Sequence, residues 1–179
     1  MCVVIYADGA RIGKRMFERA FRTNPHGGGL AWWDGGRWNA VKGFMDEKSF
    51  WRAYEEVQHF PVVLHFRRDL LGRPAKAEWT HPHVLELSDG KAFVFYNGSA
   101  NTRAEHEPAV VWLVRELSKL ALSKEQLKRF LEQRFYRGVF PGRFLVLLQK
   151  ERKPIKVGRW TKIGKRVWVS KPVDQWELW

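Results

Sequence analysis

The chain begins with Met1-Cys2-Val3-Val4-Ile5, and this stretch organises the rest of the sequence. Cys2 is the single cysteine among 179 residues, and it directly follows the first methionine. Loss of Met1 would leave a thiol and a free α-amine on one residue, so that a nucleophile carries its own base. A small hydrophobic side chain opening a buried first strand would explain the same cysteine. Both interpretations stay open on this stretch alone.

Length and composition predict one folded domain covering residues 1–179. Hydrophobic residues make up 45% of the chain and aromatic residues 15%, values typical of globular proteins. A single cysteine excludes an internal disulfide framework and a cysteine-based zinc site. The sequence has neither a stretch of the ~20 apolar residues that span a bilayer nor a signal-peptide pattern. We therefore expect a cytoplasmic protein without membrane contact.

The chain is strongly basic, with a formal net charge of +13. A field of this sign attracts polyanions, nucleic acid above all. Many of the cations form a basic strip, in which Trp160 and Trp168 are interleaved, namely Lys150, Arg152, Lys153, Lys156, Arg159, Lys162, Lys165 and Arg166. The strip is either a nucleic-acid surface or a solvated edge hairpin whose lysines discourage aggregation between sheets.

Hydrophobic periodicity predicts strands at both ends of the chain and helices between them. The helical patterns follow Ile12, Asp46 as an N-cap, Pro108, and the capping box formed by Ser123 with Gln126. Strand patterns cover residues 3–6, 30–33, 38–41, 62–64, 84–87, 92–95, 144–148, 155–160 and 167–170. This order predicts an α/β protein without the regular alternation of a doubly wound sheet.

Several motifs occur in a fixed order along the chain: Met1-Cys2-Val3-Val4, Asn24-Pro25-His26-Gly27-Gly28-Gly29-Leu30-Ala31-Trp32-Trp33, Leu64-His65-Phe66-Arg67, Thr80-His81-Pro82-His83 and Phe95-Tyr96-Asn97-Gly98. Together they resemble the class II glutamine amidotransferases, which are N-terminal-nucleophile (Ntn) hydrolases. The resemblance covers residues 1 to about 100, and residues 167–170 faintly resemble a late strand of the stand-alone members. It implies a four-layer α-β-β-α sandwich with two mainly antiparallel sheets, and we expect no metal and no cofactor.

The resemblance also implies a role for each matching residue. Cys2 would attack the side-chain amide of glutamine and release ammonia through a thioester. The Asn97 side-chain amide and the Gly98 backbone N–H would stabilise the oxyanion. Arg67 would hold the substrate α-carboxylate, since a guanidinium binds a carboxylate through two parallel hydrogen bonds. These four residues are the core of the predicted site.

Other predicted substrate contacts are less direct. Gly28 and Gly29 belong to a glycine loop whose backbone would come close to Cys2. His81 lies in the segment that resembles a substrate loop; with His83 it forms an i, i+2 pair, but a metal site would need a second ligand pair. The family binds the substrate α-ammonium with an Asp beyond the Asn-Gly pair. No Asp occurs here between residues 89 and 174, so Glu105 or Glu107 is the candidate substitute.

Two further departures from the family pattern concern the residues around these motifs. The Thr that the family places after its His-x-Arg motif is absent, because Arg68-Asp69-Leu70-Leu71-Gly72 follows here. Tyr96 stands where the family has histidine. The predicted function is an amidohydrolase acting on glutamine or a related amide, with ammonia passing to water or to a separate synthase partner. The alternative is an inactive member of the fold that serves as a basic nucleic-acid- or protein-binding module.

Overall fold

The computed structural model describes residues 2–69, 75–98, 107–136 and 141–175, with only the backbone of 134–136. The strands in this part of the chain are β1 (Val3–Ala7), β2 (Gly28–Trp33), β3 (Trp38–Phe44), β4 (Val62–Phe66), β5 (His83–Leu87), β6 (Gly90–Gly98), β7 (Gly142–Leu148), β8 (Ile155–Val157), β9 (Thr161–Gly164) and β10 (Val167–Val169). The α-helices are α1 (Lys14–Thr23), α2 (Glu47–Val57), α3 (Ala109–Lys119) and α4 (Lys124–Tyr136).

The strands form two sheets in which the paired neighbours are antiparallel. The first sheet has six strands in the order β3-β2-β4-β1-β10-β9, and the second has four in the order β5-β6-β7-β8. The strand β1 that follows Cys2 therefore lies inside the first sheet, between β4 and β10. Its partners come from the middle and from the late part of the chain.

Three hydrophobic clusters show how the layers stack. One packs α1 and α2 on the outer face of the first sheet, with Ile5 and Leu64 in it. Another packs α3 and α4 against the second sheet. The third lies between the sheets, where Val4 of the first meets Phe95 and Leu145 of the second. Successive side chains of a strand point to opposite faces, so each sheet feeds two clusters. The predicted four-layer α-β-β-α sandwich is confirmed.

Local signals in the sequence set the helix starts as predicted. The Asp46 carboxylate accepts a hydrogen bond from the Ser49 backbone N–H at 2.8 Å and so caps α2. Ser123 and Gln126 form the reciprocal capping box before α4, with distances of 2.8 and 3.2 Å. Each such cap satisfies a backbone N–H that the first helical turn leaves open.

The prediction of one strand over residues 155–160 is wrong. β8 ends at Val157, and Gly158 has a φ of 85°, which a glycine adopts without strain. The Trp160 indole N–H donates to the Val157 carbonyl at 3.2 Å across this turn. The chain then enters the first sheet as β9. Two strands only three residues apart therefore form the edges of two different sheets.

The glycine motif also differs from the predicted loop, since Gly28 and Gly29 lie inside β2. Only Gly27 of the three has a positive φ, at 100°. A Cβ on Gly28 would overlap the Phe50 ring, and one on Gly29 would overlap the His81 carbonyl oxygen. Close packing of neighbours, rather than an unusual backbone conformation, is therefore what requires these two glycines. Their predicted proximity to substrate stays a prediction.

We expect Gly29→Ala to destabilise the fold by about 3 kcal/mol, because a backbone carbonyl cannot move away as a flexible side chain can. The new Cβ would also lie 2.9 Å from the Lys42 Cα. Urea unfolding measures the change. Gly36→Ala is the matched control, since its Cβ meets only the Asp34 Oδ1 at 3.7 Å. Equal unfolding midpoints for the two variants would contradict this account of β2.

None of the helices in the described residues is long and apolar enough to cross a membrane.

Candidate active site

Cys2 lies one residue before β1, at the end of the first sheet. Val3 pairs with Phe66, so the same register places Cys2 beside Arg67. The backbone N–H of Arg68 donates to the Cys2 Sγ at 3.4 Å, and the Sγ lies 3.7 Å from the Arg68 carbonyl oxygen. The side chain is half-buried. The thiol is thus held against the backbone that continues β4.

Asn97 comes from the second sheet, near the end of β6, and is fully buried. Its Nδ2 lies 2.9 Å from the Ser170 Oγ. The Ser170 Oγ in turn accepts a hydrogen bond from the Val4 backbone N–H at 2.9 Å, and the Ser170 N–H donates to the Val4 carbonyl at 2.9 Å. Ser170 therefore ties the Asn97 side chain to β1, at a position two residues after Cys2.

Gly98 ends β6 opposite Gly142 of β7. A Cβ there would overlap both the Pro141 carbonyl oxygen and the Tyr96 hydroxyl, so the position admits only glycine without rearrangement. The Tyr96 hydroxyl donates to that same carbonyl at 2.7 Å. Burial, and next the charge of Cys2, raise the pKa of Tyr96. The end of β6 is therefore crowded and electrostatically coupled to the thiol.

Arg67 is buried and already faces a carboxylate of its own chain. Its Nη2 lies 2.7 Å from the Asp69 Oδ2, and the two side chains are 4% and 2% exposed. The guanidinium carbon lies 5.6 Å from the centre of the Trp79 ring. A substrate carboxylate would therefore have to share Arg67 with Asp69 or displace it.

A cleft of about 380 Å³ adjoins this region and is lined by Arg22, Thr23, Pro25, His26, Arg68 and Asp69. It lies between the C-terminal end of α1 and the segment after β4. Its Arg68 is the residue whose backbone contacts the Cys2 sulfur. The cleft therefore adjoins the segment whose backbone contacts the Cys2 sulfur, and its charged lining residues are Arg22, Arg68 and Asp69.

His81 packs in the interior against two other histidines. The ring centroids of His65 and His81 are 3.8 Å apart, and those of His81 and His83 are 4.6 Å apart. Both ring nitrogens of His81 and the Nε2 of His83 are buried without a hydrogen-bond partner among the described residues. Within the same part of the chain, no group of three His, Cys, Asp or Glu side chains is arranged to hold a metal ion.

The two glutamates considered for the substrate ammonium are placed differently. Glu105 lies outside the described residues. Glu107 lies just before α3, where its two carboxylate oxygens accept hydrogen bonds from Arg115 at 2.6 and 2.9 Å. The Glu107 carboxylate therefore forms a salt bridge with Arg115 at the surface.

The surroundings of Cys2 set its protonation state. Burial raises the pKa of the thiol, while the Arg68 backbone N–H and the Arg67 guanidinium act in the opposite direction. The thiol is therefore mostly protonated at neutral pH and needs a base to become a nucleophile. A free α-amine, with an ordinary pKa near ~8, would be the nearest one.

We expect the alkylation of Cys2 by iodoacetamide to speed up about tenfold per pH unit from about pH 7 to beyond pH 9. The reason is that burial raises the pKa of the thiol, so the thiolate fraction keeps growing over this range. Mass spectrometry follows the reaction cleanly because the chain has one cysteine. A short peptide with the same first five residues is the control. If the alkylation rate of Cys2 levelled off at a lower pH than that of the peptide, the pKa of Cys2 would not be raised.

The basic strip is only partly available to a polyanion. Arg152 and Arg166 reach the Asp8 carboxylate, at 2.8 and 3.7 Å. The Lys156 Nζ lies 4.1 Å from the centre of the Trp168 ring. In the strip, Arg152 and Arg166 therefore form ion pairs with Asp8, whereas Lys156 lies over the Trp168 ring.

Sequence reasoning assigned no role to Ser170, Asp69 or His65. Ser170 ends the late motif at residues 167–170, so its position could have been noted from the resemblance. Asp69 stands where the family pattern breaks off. Neither the motif at residues 167–170 nor the Asn97-Gly98 motif indicates that Ser170 would contact Asn97, 73 residues away.

Comparisons with known proteins add a structural likeness. No protein-family model matches this chain, and no curated protein matches its sequence. Among solved structures, glutamine phosphoribosylpyrophosphate amidotransferase from B. subtilis, complexed with ADP and GMP, is similar at 13% identity and a TM-score of 0.49. The likeness covers 94% of this chain and 41% of that protein. Function is therefore inferred from the geometry of the site.

Proposed function

We propose that this chain is an amidohydrolase of glutamine amidotransferase type, in which Cys2, freed of Met1, attacks the side-chain amide of glutamine or a related amide. One observation carries the proposal: the Val4–Ser170–Asn97 bridge, with two contacts of 2.9 Å. It holds a carboxamide of the second sheet against the strand that the thiol begins. A nucleophile and an oxyanion donor need this kind of fixed relation.

The chemistry follows from these groups. The α-amine takes the thiol proton, and the sulfur attacks the amide carbon, so that the carbonyl oxygen becomes an oxyanion. Asn97 and the Gly98 N–H would donate hydrogen bonds to that oxygen. The C–N bond then breaks, and the amine returns its proton to the leaving ammonia. Water hydrolyses the resulting thioester, which gives the carboxylic acid and restores the thiol.

The cleft beside Arg68 supports an amino-acid substrate. Its volume of about 380 Å³ falls within the range of small-molecule sites. Its lining residues include Arg22 and Arg68, whose positive charge suits the carboxylate of an amino acid. Asp69 is the residue of opposite charge in the lining, but its carboxylate is held by Arg67, so a substrate ammonium would bind it only once that pair opens. The ammonia would pass to water or to a separate synthase that activates its acceptor.

Labelling with a diazo-ketone analogue of glutamine tests the proposal, on protein whose first residue is Cys2. We expect mass spectrometry to find one added group on Cys2, and ammonia release from L-glutamine by the same protein. Cys2→Ala should show neither. Asn97→Ala should lose about 10²–10³-fold in kcat, the usual cost of an oxyanion donor. Asn39→Ala, at a half-buried position of β3, is its matched control. Unlabelled Cys2 in folded, processed protein would remove the proposal.

Nucleic-acid binding is the second candidate, and one observation favours it. Lys156 and Lys162 lie 4.1 and 5.9 Å from the centre of the Trp168 ring, which stacks on Tyr6 at 5.4 Å. Cations beside an aromatic platform suit single-stranded nucleic acid.

Filter binding of a single-stranded oligonucleotide at low and moderate salt tests this candidate. The double variant Lys156→Glu/Lys162→Glu should bind at least about tenfold more weakly and depend less on salt. The control is Lys14→Glu/Lys119→Glu, which changes the net charge by the same amount on α1 and α3. It should bind the oligonucleotide better than Lys156→Glu/Lys162→Glu. Equal losses in the two variants, or binding that ignores salt, would exclude a local site.

A further inference from the structure

In the present orientation of the Asn97 side chain, a buried donor and a buried acceptor around Ser170 have no hydrogen-bond partner. Asn97 is 0% and Ser170 1% exposed, so water satisfies neither. With the Asn97 Nδ2 facing it, the Ser170 hydroxyl receives two N–H groups, one from Asn97 and one from Val4. Its own hydrogen then has no acceptor in the described part of the chain. The Asn97 Oδ1 is likewise buried without a partner there.

Turning the Asn97 carboxamide by half a rotation exchanges its oxygen and nitrogen without moving any other atom. The Ser170 hydroxyl then donates to the Asn97 Oδ1 and still accepts from the Val4 N–H. The hydroxyl uses both its donor and an acceptor position. The NH₂ group of Asn97 takes the place where Oδ1 had no partner, and it presents two donors there. Both orientations make two hydrogen bonds here. The present one leaves the Ser170 O–H, the Asn97 Oδ1 and one Asn97 N–H open, whereas the turned one leaves only the two N–H donors of the Asn97 NH₂ group, which an incoming oxyanion would satisfy.

We propose that Ser170 is a positioning residue, whose hydroxyl selects this orientation and aims the Asn97 NH₂ group at the developing oxyanion. The catalytic part of this inference rests on the proposed function. Ser170 suits the task because its two partners belong to different sheets: Val4 lies in β1, two residues after Cys2, and Asn97 lies in β6. One hydroxyl thus sets both the orientation of the donor and its position relative to the nucleophile.

The orientation decides the sign of the electrostatic effect on the reaction. A carboxamide NH₂ stabilises an oxyanion, whereas a carboxamide oxygen at the same place repels it. Without the hydroxyl, nothing in this bridge favours the productive orientation. Substrate affinity depends on other contacts, so the effect should appear in kcat rather than in KM.

Kinetics on L-glutamine with Cys2 as first residue test the catalytic part. We expect Ser170→Ala to lower kcat about 10–10²-fold with KM within about threefold. Ser170→Thr keeps the hydroxyl and should recover most of the activity. Ser49→Ala, which removes an exposed hydroxyl at the start of α2, is the control. If wild type is active and Ser170→Ala has the same kcat, Ser170 has no positioning role.

Nuclear magnetic resonance tests the orientation independently of activity. The side-chain NH₂ protons of Asn97 should show no contact with the Ser170 β-protons in wild type, because Oδ1 faces Ser170. Strong contacts would place Nδ2 there and overturn the inference. If processed wild type folds but releases no ammonia, the proposed function fails, while this measurement still decides which way Asn97 faces.

Discussion

Below about pH 6, we expect each pH unit to lower the free energy of unfolding by roughly 4 kcal/mol, three times the linkage of one titrating group. The cause is the interior cluster of His65, His81 and His83. Burial, and then the neighbouring histidines, hold the pKa of His65 and His81 well below its ordinary value. Burial, followed by Lys42 and Arg67, lowers the pKa of His83 to about 3.

The sign of this effect follows from the direction of the shifts. In the unfolded chain these histidines take up protons near pH ~6.5, whereas in the fold they stay neutral to a much lower pH. The unfolded state therefore binds more protons as the pH falls, and stability is lost from about pH 6.5 downward. The window above about pH 5 lies above the titration of ordinary carboxylates, so it isolates the histidines. Above about pH 7 these groups contribute no pH dependence.

Urea unfolding at several pH values between about 7.5 and 5 measures the slope. Replacing one cluster member, as in His81→Phe, should reduce it by about 1.4 kcal/mol per pH unit. His59→Gln is the matched control, because His59 lies exposed after α2. A stability that stays flat between these pH values would contradict the neutral interior cluster. So would an unchanged slope in His81→Phe.

The second large effect concerns the α-amine. Keeping a residue before Cys2 should lower kcat for ammonia release about 10²–10⁴-fold, the usual contribution of a general base. The thiol depends on this base because burial raises its pKa, so that little thiolate forms unaided at neutral pH. A fusion with a protease site directly before Cys2 provides both forms from one preparation, with the uncleaved protein as the blocked form.

Alkylation by iodoacetamide at high pH serves as the control for this comparison. Both forms should react there, because added base replaces the amine, and equal melting temperatures should show that both are folded. Equal rates of ammonia release before and after cleavage would mean that another group takes the thiol proton.

Much of the fold follows from local sequence signals. The Ser123–Gln126 capping box and the Asp46 cap are short-range contacts, so their residues identify them directly. The continuous apolar runs at 3–6 and 62–64 fit strands that are buried on both faces. The resemblance then supplied the layer order, which periodicity alone does not fix.

The remainder depends on contacts between distant parts of the chain. The Val4–Ser170 and Asn97–Ser170 bonds join residues 166 and 73 positions apart. The stacking of His65 on His81 and the packing of the His81 carbonyl against Gly29 are equally invisible in a linear pattern. The strand predicted at residues 155–160 failed because Gly158, with a positive φ, ends β8 at Val157, and the next strand begins only at Thr161 in the other sheet. Such features appear only after the sheets are assembled.

The position of β1 between β4 and β10 determines when this site can form during synthesis. Ile5 pairs with Leu64 on one side and with Val169 on the other. The ribosome makes β1 long before β10, so the first sheet stays incomplete until Val169 has emerged. Ser170 arrives at the same moment. A nascent or truncated chain that ends before Ser170 would therefore carry the thiol but lack the bridge that ties Asn97 to β1.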